Sequence, residues 1–193
     1  MANVYVNIGA AIEELKKAHE SLTANKFDLA VARAINHTVA KAKSEATREI
    51  KKLYGARSKE IRSSFKITKA SRKMKIGILR SSAPALPLIA FGARQVKSGV
   101  SVKIKGKRSI IKSAFISTMK SGHRGVFARG EYSRKGFKFR KKRIRKKGND
   151  LNITELNTLS VSSALRNDKI QQHLEKHIQT HFPKRLARLL ARS

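Results

Sequence analysis

The sequence predicts an α+β fold with a small antiparallel β-sheet, and three observations support this class. Apolar residues recur at helical spacing near both ends of the 193-residue chain. In the central part they alternate with polar or small residues, as in half-buried strands. Helices and strands do not alternate regularly, which argues against a doubly wound parallel sheet. We expect a single domain over residues 1–193, with a helical part (1–64), a β part (65–160) that contains a basic arm (130–149), and a C-terminal helix (161–193).

Two amphipathic helices are predicted in the helical part. The first covers residues 8–22, and its apolar stripe consists of Ile8, Ala11, Ile12, Leu15, Ala18 and Leu22. The second is a long helix over residues 27–54, and its stripe consists of Phe27, Val31, Ile35, Val39, Ala42, Ala46, Ile50 and Leu53. Gly55 follows the second stripe and is a suitable C-terminal cap.

The β part is predicted from period-two alternation. The alternating apolar positions are Met74, Ile76 and Ile78, followed by Val100, Val102 and Ile104. Gly106 offers a turn, and residues 113–119, 126–129 and 151–156 are predicted to be further strands. The segment PALPLIAFGA contains two prolines, which favours an edge strand or an extended loop.

The C-terminal helix has Asn167 or Asp168 as its predicted N-cap. Its apolar stripe consists of Ile170, Leu174, Ile178, Phe182, Leu186 and Leu189 or Leu190. Pro183 lies inside this stripe, so we expect a kink or a break there.

Charge is the most unusual property of the composition. Forty-five Lys and Arg face 12 Asp and Glu, a formal net charge of +33. Such an excess indicates a partner with the opposite charge, either a polyanion or an acidic protein surface. Cysteine is absent, which excludes disulfides, thiolate metal sites and cysteine nucleophiles. No membrane segment, signal peptide or cofactor is predicted.

The densest run of cations is the basic arm, in which ten of the 14 residues from 134 to 147 are Lys or Arg. Like-charge repulsion predicts an extended conformation unless a partner supplies negative charge. Nonspecific contacts with a DNA backbone would suit it, and Phe137 and Phe139 could stack on bases. An acidic protein or a neighbouring subunit remains the alternative. The candidate binding residues of the arm are Arg134, Lys135, Lys138, Arg140, Lys141, Lys142, Arg143, Arg145, Lys146 and Lys147.

The segment SGHRG between two predicted strands favours a hairpin, with Gly122 and Gly125 at positive φ. His123 and Arg124 would project from its tip, either solvated or in contact with DNA backbone or a neighbouring subunit. A general base would need an orienting carboxylate and a nucleophile or metal. The only acid nearby in sequence is Glu131, so no catalytic residue is predicted.

Three histidines recur at intervals of four on the last helix: His173, His177 and His181. This spacing can place two imidazoles on one metal ion. No adjacent pattern supplies further ligands, and Lys176, Lys184 and Arg185 add positive charge. No metal site is predicted.

Residues 91–129, FGARQVKSGVSVKIKGKRSIIKSAFISTMKSGHRGVFAR, resemble the minor tail protein Z family of long-tailed bacteriophages, which is related to tail-completion and neck proteins. The order Phe-Gly-Ala-Arg, alternating valines, a basic turn, Ala-Phe-Ile and the Ser-Gly-His-x-Gly-Val-Phe hairpin carries the resemblance. Residues 30–50, the final helix and ITELNTLSVSSAL are also similar. In the last of these, Asn157 and Thr158 replace a Tyr-Gly pair.

The resemblance implies a non-enzymatic virion protein at the head-proximal end of the tail, made in the host cytoplasm. It implies a homo-oligomeric ring, commonly of six subunits, around the channel through which double-stranded DNA passes. The implied protein partners are tail tube or terminator, tape-measure and neck connector proteins. A free nucleic-acid-binding protein, ribosomal or chromatin-like, is the alternative. A nuclease is disfavoured because residues 61–149 contain 27 Lys and Arg but one acid.

Overall fold

The computed structural model describes residues 2–3, 8–17, 24–81, 84–130, 132–135, 138–141 and 153–192. The helices are α1 (Gly9–Lys17), α2 (Ala24–Tyr54), α3 (Ser58–Ser63), α4 (Val161–Leu165) and α5 (Asp168–Leu190), with a 3-10 turn at Leu88–Phe91. The strands are β1 (Ala2–Asn3), β2 (Phe65–Thr68), β3 (Ile78–Ser81), β4 (Ala85–Pro87), β5 (Arg94–Val96), β6 (Gly99–Ile104), β7 (Lys107–Lys112), β8 (Ala114–Thr118), β9 (Arg124–Arg129), β10 (Tyr132–Lys135), β11 (Lys138–Lys141), β12 (Ile153–Glu155) and β13 (Asn157–Ser160).

Every described strand pair is antiparallel, so the predicted α+β class is confirmed. The chain divides into two compact units. The helical unit comprises Met1–Glu49, Arg62–Ala83 and Ser162–Ser193, and the β unit comprises Ile50–Ile61 and Pro84–Val161. None of the helices in the described part of the chain is both long enough and apolar enough to cross a membrane.

The core of the helical unit is formed by the apolar stripes of α2 and α5. Phe27, Val31 and Ile35 of α2 belong to one buried cluster with Phe182 and Leu186 of α5. The apolar face of α1 packs against this cluster through side chains that stay partly exposed. Helical spacing therefore predicted this core correctly, because each stripe places its apolar residues on one side of the helix.

The ends of the long helices follow local rules. Gly55 adopts φ +81°, and its amide donates to the Lys51 carbonyl at 2.8 Å, as expected of a cap. Asn167 is the N-cap of α5, and its Oδ1 accepts a hydrogen bond from the Lys169 amide at 3.2 Å. The break predicted at Pro183 does not occur, because α5 runs without interruption from Asp168 to Leu190.

One predicted strand is wrong. Met74 and Ile76 lie outside any strand and are about half exposed, and β3 begins only at Ile78. The loop before it bonds to a helix instead of a neighbouring strand, since Asn36 of α2 donates to the Ala70 carbonyl at 3.0 Å and accepts from its amide at 2.7 Å. The alternation of Met74, Ile76 and Ile78 in the sequence does not reveal the contact between Asn36 and Ala70.

The described residues of the β unit form four small sheets: β5-β6-β7, β8-β9-β12, β4-β13 and β10-β11. Val100, Val102 and Ile104 of β6 are buried as predicted, and Gly106 makes the turn into β7 with φ +76°. The segment PALPLIAFGA forms β4, which pairs with β13, and then the 3-10 turn. Of the two predicted alternatives, the edge strand is thus confirmed for Ala85–Pro87.

Candidate partner-binding surfaces

The predicted SGHRG hairpin is present as β8 and β9, with Thr118 paired to Arg124. Its turn is closed by hydrogen bonds from the Met119 amide to the His123 carbonyl at 2.9 Å and from the Gly122 amide to the Met119 carbonyl at 2.8 Å. Gly122 has the predicted positive φ, +79°. His123 and Arg124 are both exposed at the tip, where a partner could reach them.

Gly125 is not at positive φ, which corrects the prediction for this glycine. It lies in β9, and a Cβ atom there would come within 2.7 Å of the Glu155 carboxylate and 2.9 Å of the Phe127 ring. The glycine is therefore needed for close packing between strands and not for a turn.

The hairpin tip also has a partner that the sequence did not reveal. His123 Nε2 and Glu155 Oε1 are 2.9 Å apart, and Glu155 belongs to β12, which pairs with β9. Residues 123 and 155 are far apart in the chain, so only strand pairing brings them together. The contact ties the imidazole to β12 on a surface where the His123 side chain is 51% exposed. We assign it the role of orienting the hairpin tip.

The basic arm begins as a two-stranded antiparallel ribbon of β10 and β11. Tyr132 is paired with Lys141, Ser133 with Arg140, and Lys135 with Lys138. Arg134 is paired with Phe139. The first five candidate residues of the arm therefore lie on the ribbon. The other five, Lys142, Arg143, Arg145, Lys146 and Lys147, lie outside the described residues, as does Phe137.

Positive charge is concentrated in the β unit. Its residues include 24 Lys and Arg against four Asp and Glu, a formal charge of +20 out of the +33 of the chain. Its sheet β5-β6-β7 carries exposed cations that were not among the predicted site residues: Arg94, Lys103, Arg108 and Lys112. The sequence signal for them is the alternation of Lys103 with the valines of β6 and of Arg108 and Lys112 with the apolar residues of β7. This signal is much weaker than the dense run of charge in the arm.

The histidines of α5 do not gather around one point. His173 Nε2 is 2.6 Å from the Glu45 carboxylate, which also forms an ion pair with Arg48. His177 and His181 lie against each other with ring centroids 4.2 Å apart. Glu45, Glu49 and His173 each have an atom that could bind a metal ion, and these three atoms lie within 4.8 Å of one another. The sequence pattern on α5 gave no sign of these two carboxylates from α2.

Burial, hydrogen bonds and nearby charges shift the pKa values of Glu45, His177 and His37. Desolvation of Glu45 raises its pKa, but the hydrogen bonds from His173 and Arg48 outweigh this and hold the pKa below its usual range. Burial, followed by the charge of neighbouring imidazoles and cations, lowers the pKa of His177. Burial and the nearby Arg185 lower the pKa of His37 in the same way. Folding of the helical unit thus favours the neutral forms of His37 and His177 and the ionised form of Glu45.

Fold and surface together define a small, strongly basic α+β protein whose net positive charge is larger on the β unit than on the helical unit. Residues 8–193 match the family model described as prophage minor tail protein Z (GPZ), so the chain belongs to that family. It is a structural protein of the phage tail and is located in the virion tail. No curated protein and no solved structure gives a significant match to the chain.

Proposed function

We propose that this minor tail protein acts without catalysis at the head-proximal end of the tail, as a homo-oligomeric ring around the DNA channel. Six subunits are expected. The ring would help to complete the tail, join it to the head and allow the genome to pass. Its neighbours would be the tail tube or terminator, tape-measure and neck connector proteins.

The observation that carries this proposal is the charge of the β unit, +20. Copies of such a unit placed side by side in a ring repel one another, and the repulsion must be offset by negative charge close to it. DNA in the channel supplies that charge on every turn, with no need for sequence recognition. In a closed ring with head-to-tail interfaces, every subunit makes the same contacts with its two neighbours.

The basic arm and the hairpin tip are the proposed contacts. Each contains a pair of antiparallel strands, β10-β11 and β8-β9, and each carries cations in those strands. Lys and Arg that neutralise phosphates release condensed counterions, which gives binding that is tight at low salt and independent of sequence. The same residues could instead contact carboxylates at the end of a tail protein.

Location in the particle tests the proposal directly. A density map of the intact phage should place this chain as a ring at the head-proximal end of the tail, with residues 134–147 next to DNA or next to a carboxylate-rich neighbour. Density at the distal tip, or the absence of the chain from purified virions, would refute the proposal. Light scattering of the purified chain with and without tail tubes should show whether the ring needs its neighbours.

DNA contact by the arm has a separate test in its salt dependence. The variant is Arg140→Gln, Lys141→Gln, Lys142→Gln and Arg143→Gln combined. If all four residues contact phosphates, the negative slope of log K against log salt for a short duplex should become shallower by about 3.6, at about 0.9 per contact. The matched control replaces four exposed helix lysines with Gln: Lys16, Lys17, Lys51 and Lys52.

The outcome also separates two alternatives. An arm variant that keeps the wild-type slope but no longer joins tails would assign the arm to an acidic protein. Tight duplex binding by free protein that never enters particles would favour the nucleic-acid-binding alternative.

A further inference from the structure

We propose that the open face of the sheet β5-β6-β7 is a second docking surface, and that it binds a carboxylate-rich protein surface with an apolar centre. This surface is separate from the arm and the hairpin tip, and the inference does not depend on the formation of a ring.

Strand register defines this surface, which we call the cationic face. Successive side chains on a strand point to opposite sides, and directly paired residues share a side. Val100, Val102 and Ile111 are buried on one side. The other side is the cationic face, and its members include Arg94, Ser101, Lys103, Arg108, Ile110 and Lys112.

The charges on this face are not balanced within the sheet. Lys103 is paired directly with Arg108, and like charges in that position destabilise a sheet. Arg94, Lys103 and Arg108 are exposed, and none of them forms an ion pair with a described residue. A carboxylate placed between Lys103 and Arg108 would convert the repulsion into two attractions.

Arg108 is already positioned to accept such a group. Its Nη1 donates to Ser101 Oγ at 3.2 Å, which holds the guanidinium against the sheet, and Ser101 is buried beneath it. A guanidinium has five N–H donors, so this bond leaves others for a bidentate carboxylate. Holding the side chain in advance reduces the entropy lost on binding.

Ile110 favours a protein partner over DNA. It is 54% exposed on the cationic face, and its neighbours there include Arg108 and Lys112. A phosphate backbone offers no apolar group for this side chain, whereas an apolar centre with a charged rim is the common arrangement of protein interfaces. A second copy of this chain is a poor match, because its helical unit is also basic, with 21 Lys and Arg against eight acids.

The exposed edge of β7 suggests another reason for these cations, since lysines on an edge strand prevent aggregation. That role does not call for an exposed isoleucine among the cations or for an arginine anchored on a buried serine. The two roles also differ in what a substitution changes. The first predicts a change in solubility, and the second predicts a change in binding.

Photocrosslinking with full-length protein tests the proposal. The probe is a short peptide that alternates Glu with Leu and carries one photoreactive leucine, and its partner control has Gln in place of Glu. Crosslinks located by mass spectrometry should fall within residues 94–112. Crosslinks confined to residues 132–147, or a Gln peptide that crosslinks equally well, would overturn the proposal. This readout is independent of where the arm binds.

Affinity measurements complete the test. Lys103→Gln with Arg108→Gln should weaken peptide binding about 5-fold, and Ile110→Ser should weaken it about 5-fold. Lys16→Gln with Lys17→Gln removes the same charge from α1 and should change the affinity for the peptide by less than about 2-fold. The same variants are tested with a short DNA duplex. If the Lys103/Arg108 variant binds the duplex as much more weakly as it binds the peptide, and Ile110→Ser leaves duplex binding unchanged, the face binds nucleic acid and the proposal is refuted. Thermal melts of each variant show that it is folded.

Discussion

Replacing Phe182 with Ala should remove much of the stability of the helical unit. Phe182 is fully buried on α5, belongs to the cluster formed with α2, and borders a mainly apolar pocket of about 320 Å³ that is partly open to solvent. Truncation removes the contacts of the ring with this cluster and widens the pocket beside it.

The expected cost is about 4 kcal/mol, within the range of about 3–5 kcal/mol for buried Phe to Ala. For a chain of this length that corresponds to a fall in melting temperature of about 8–16 °C. Phe182→Leu keeps most of the volume and should cost about 1–1.5 kcal/mol. Ile110→Ala removes an exposed side chain of the β unit and should stay within about 0.5 kcal/mol.

Urea unfolding followed by circular dichroism at a helix-sensitive wavelength measures these values, because α2 and α5 contribute most of the helix. A loss smaller than about 1 kcal/mol for Phe182→Ala would contradict the packing of α5 on α2. An equal loss for Phe182→Ala and Ile110→Ala would show that burial does not determine the result.

Three further predictions concern the backbone, the helix cap and pH. Gly99→Ala should cost more than about 3 kcal/mol in thermal unfolding, because Gly99 has φ +150° and a Cβ there would overlap the Ile111 carbonyl oxygen; a change below about 1 kcal/mol would refute this. Asn167→Ala should cost about 1 kcal/mol, whereas Asn167→Asp should preserve the cap. Acidification should destabilise the helical unit, because the folded pKa values of His37 and His177 lie below the unfolded value. The stability contributed by these two residues is complete above about pH 6.5, and it falls at lower pH as the unfolded chain takes up protons. Removing both imidazoles by substitution with Gln should flatten this part of the stability profile, and an unchanged profile would refute the assignment.

Several elements could be predicted from the sequence because their causes are local. The stripe of α2 recurs along a helix of 31 residues, and the Asn167 cap needs only the amide two residues further on. The β8-β9 hairpin follows from two strand-forming runs around a glycine-containing turn. In each case the interacting residues are close in the chain, so spacing and residue type carry the information.

The failures involve residues that meet across the fold. Met74 and Ile76 alternate like a strand, but Asn36 binds the backbone of the preceding loop. Gly125 looks like a turn glycine, although its role is to admit the Glu155 carboxylate. Nothing in the spacing of the three α5 histidines indicates that His173 bonds to Glu45, which lies on another helix.

The sequence by itself determined the α+β class, the net charge and the approximate positions of α1, α2 and α5, because these depend on composition and on repeats within a few turns or strands. Only the tertiary structure decided which charges are paired. Glu45 with His173 and Glu155 with His123 are joined by helix packing and strand register. Lys103, Arg108 and Lys112 share one face because a pleated sheet turns alternate side chains to opposite sides.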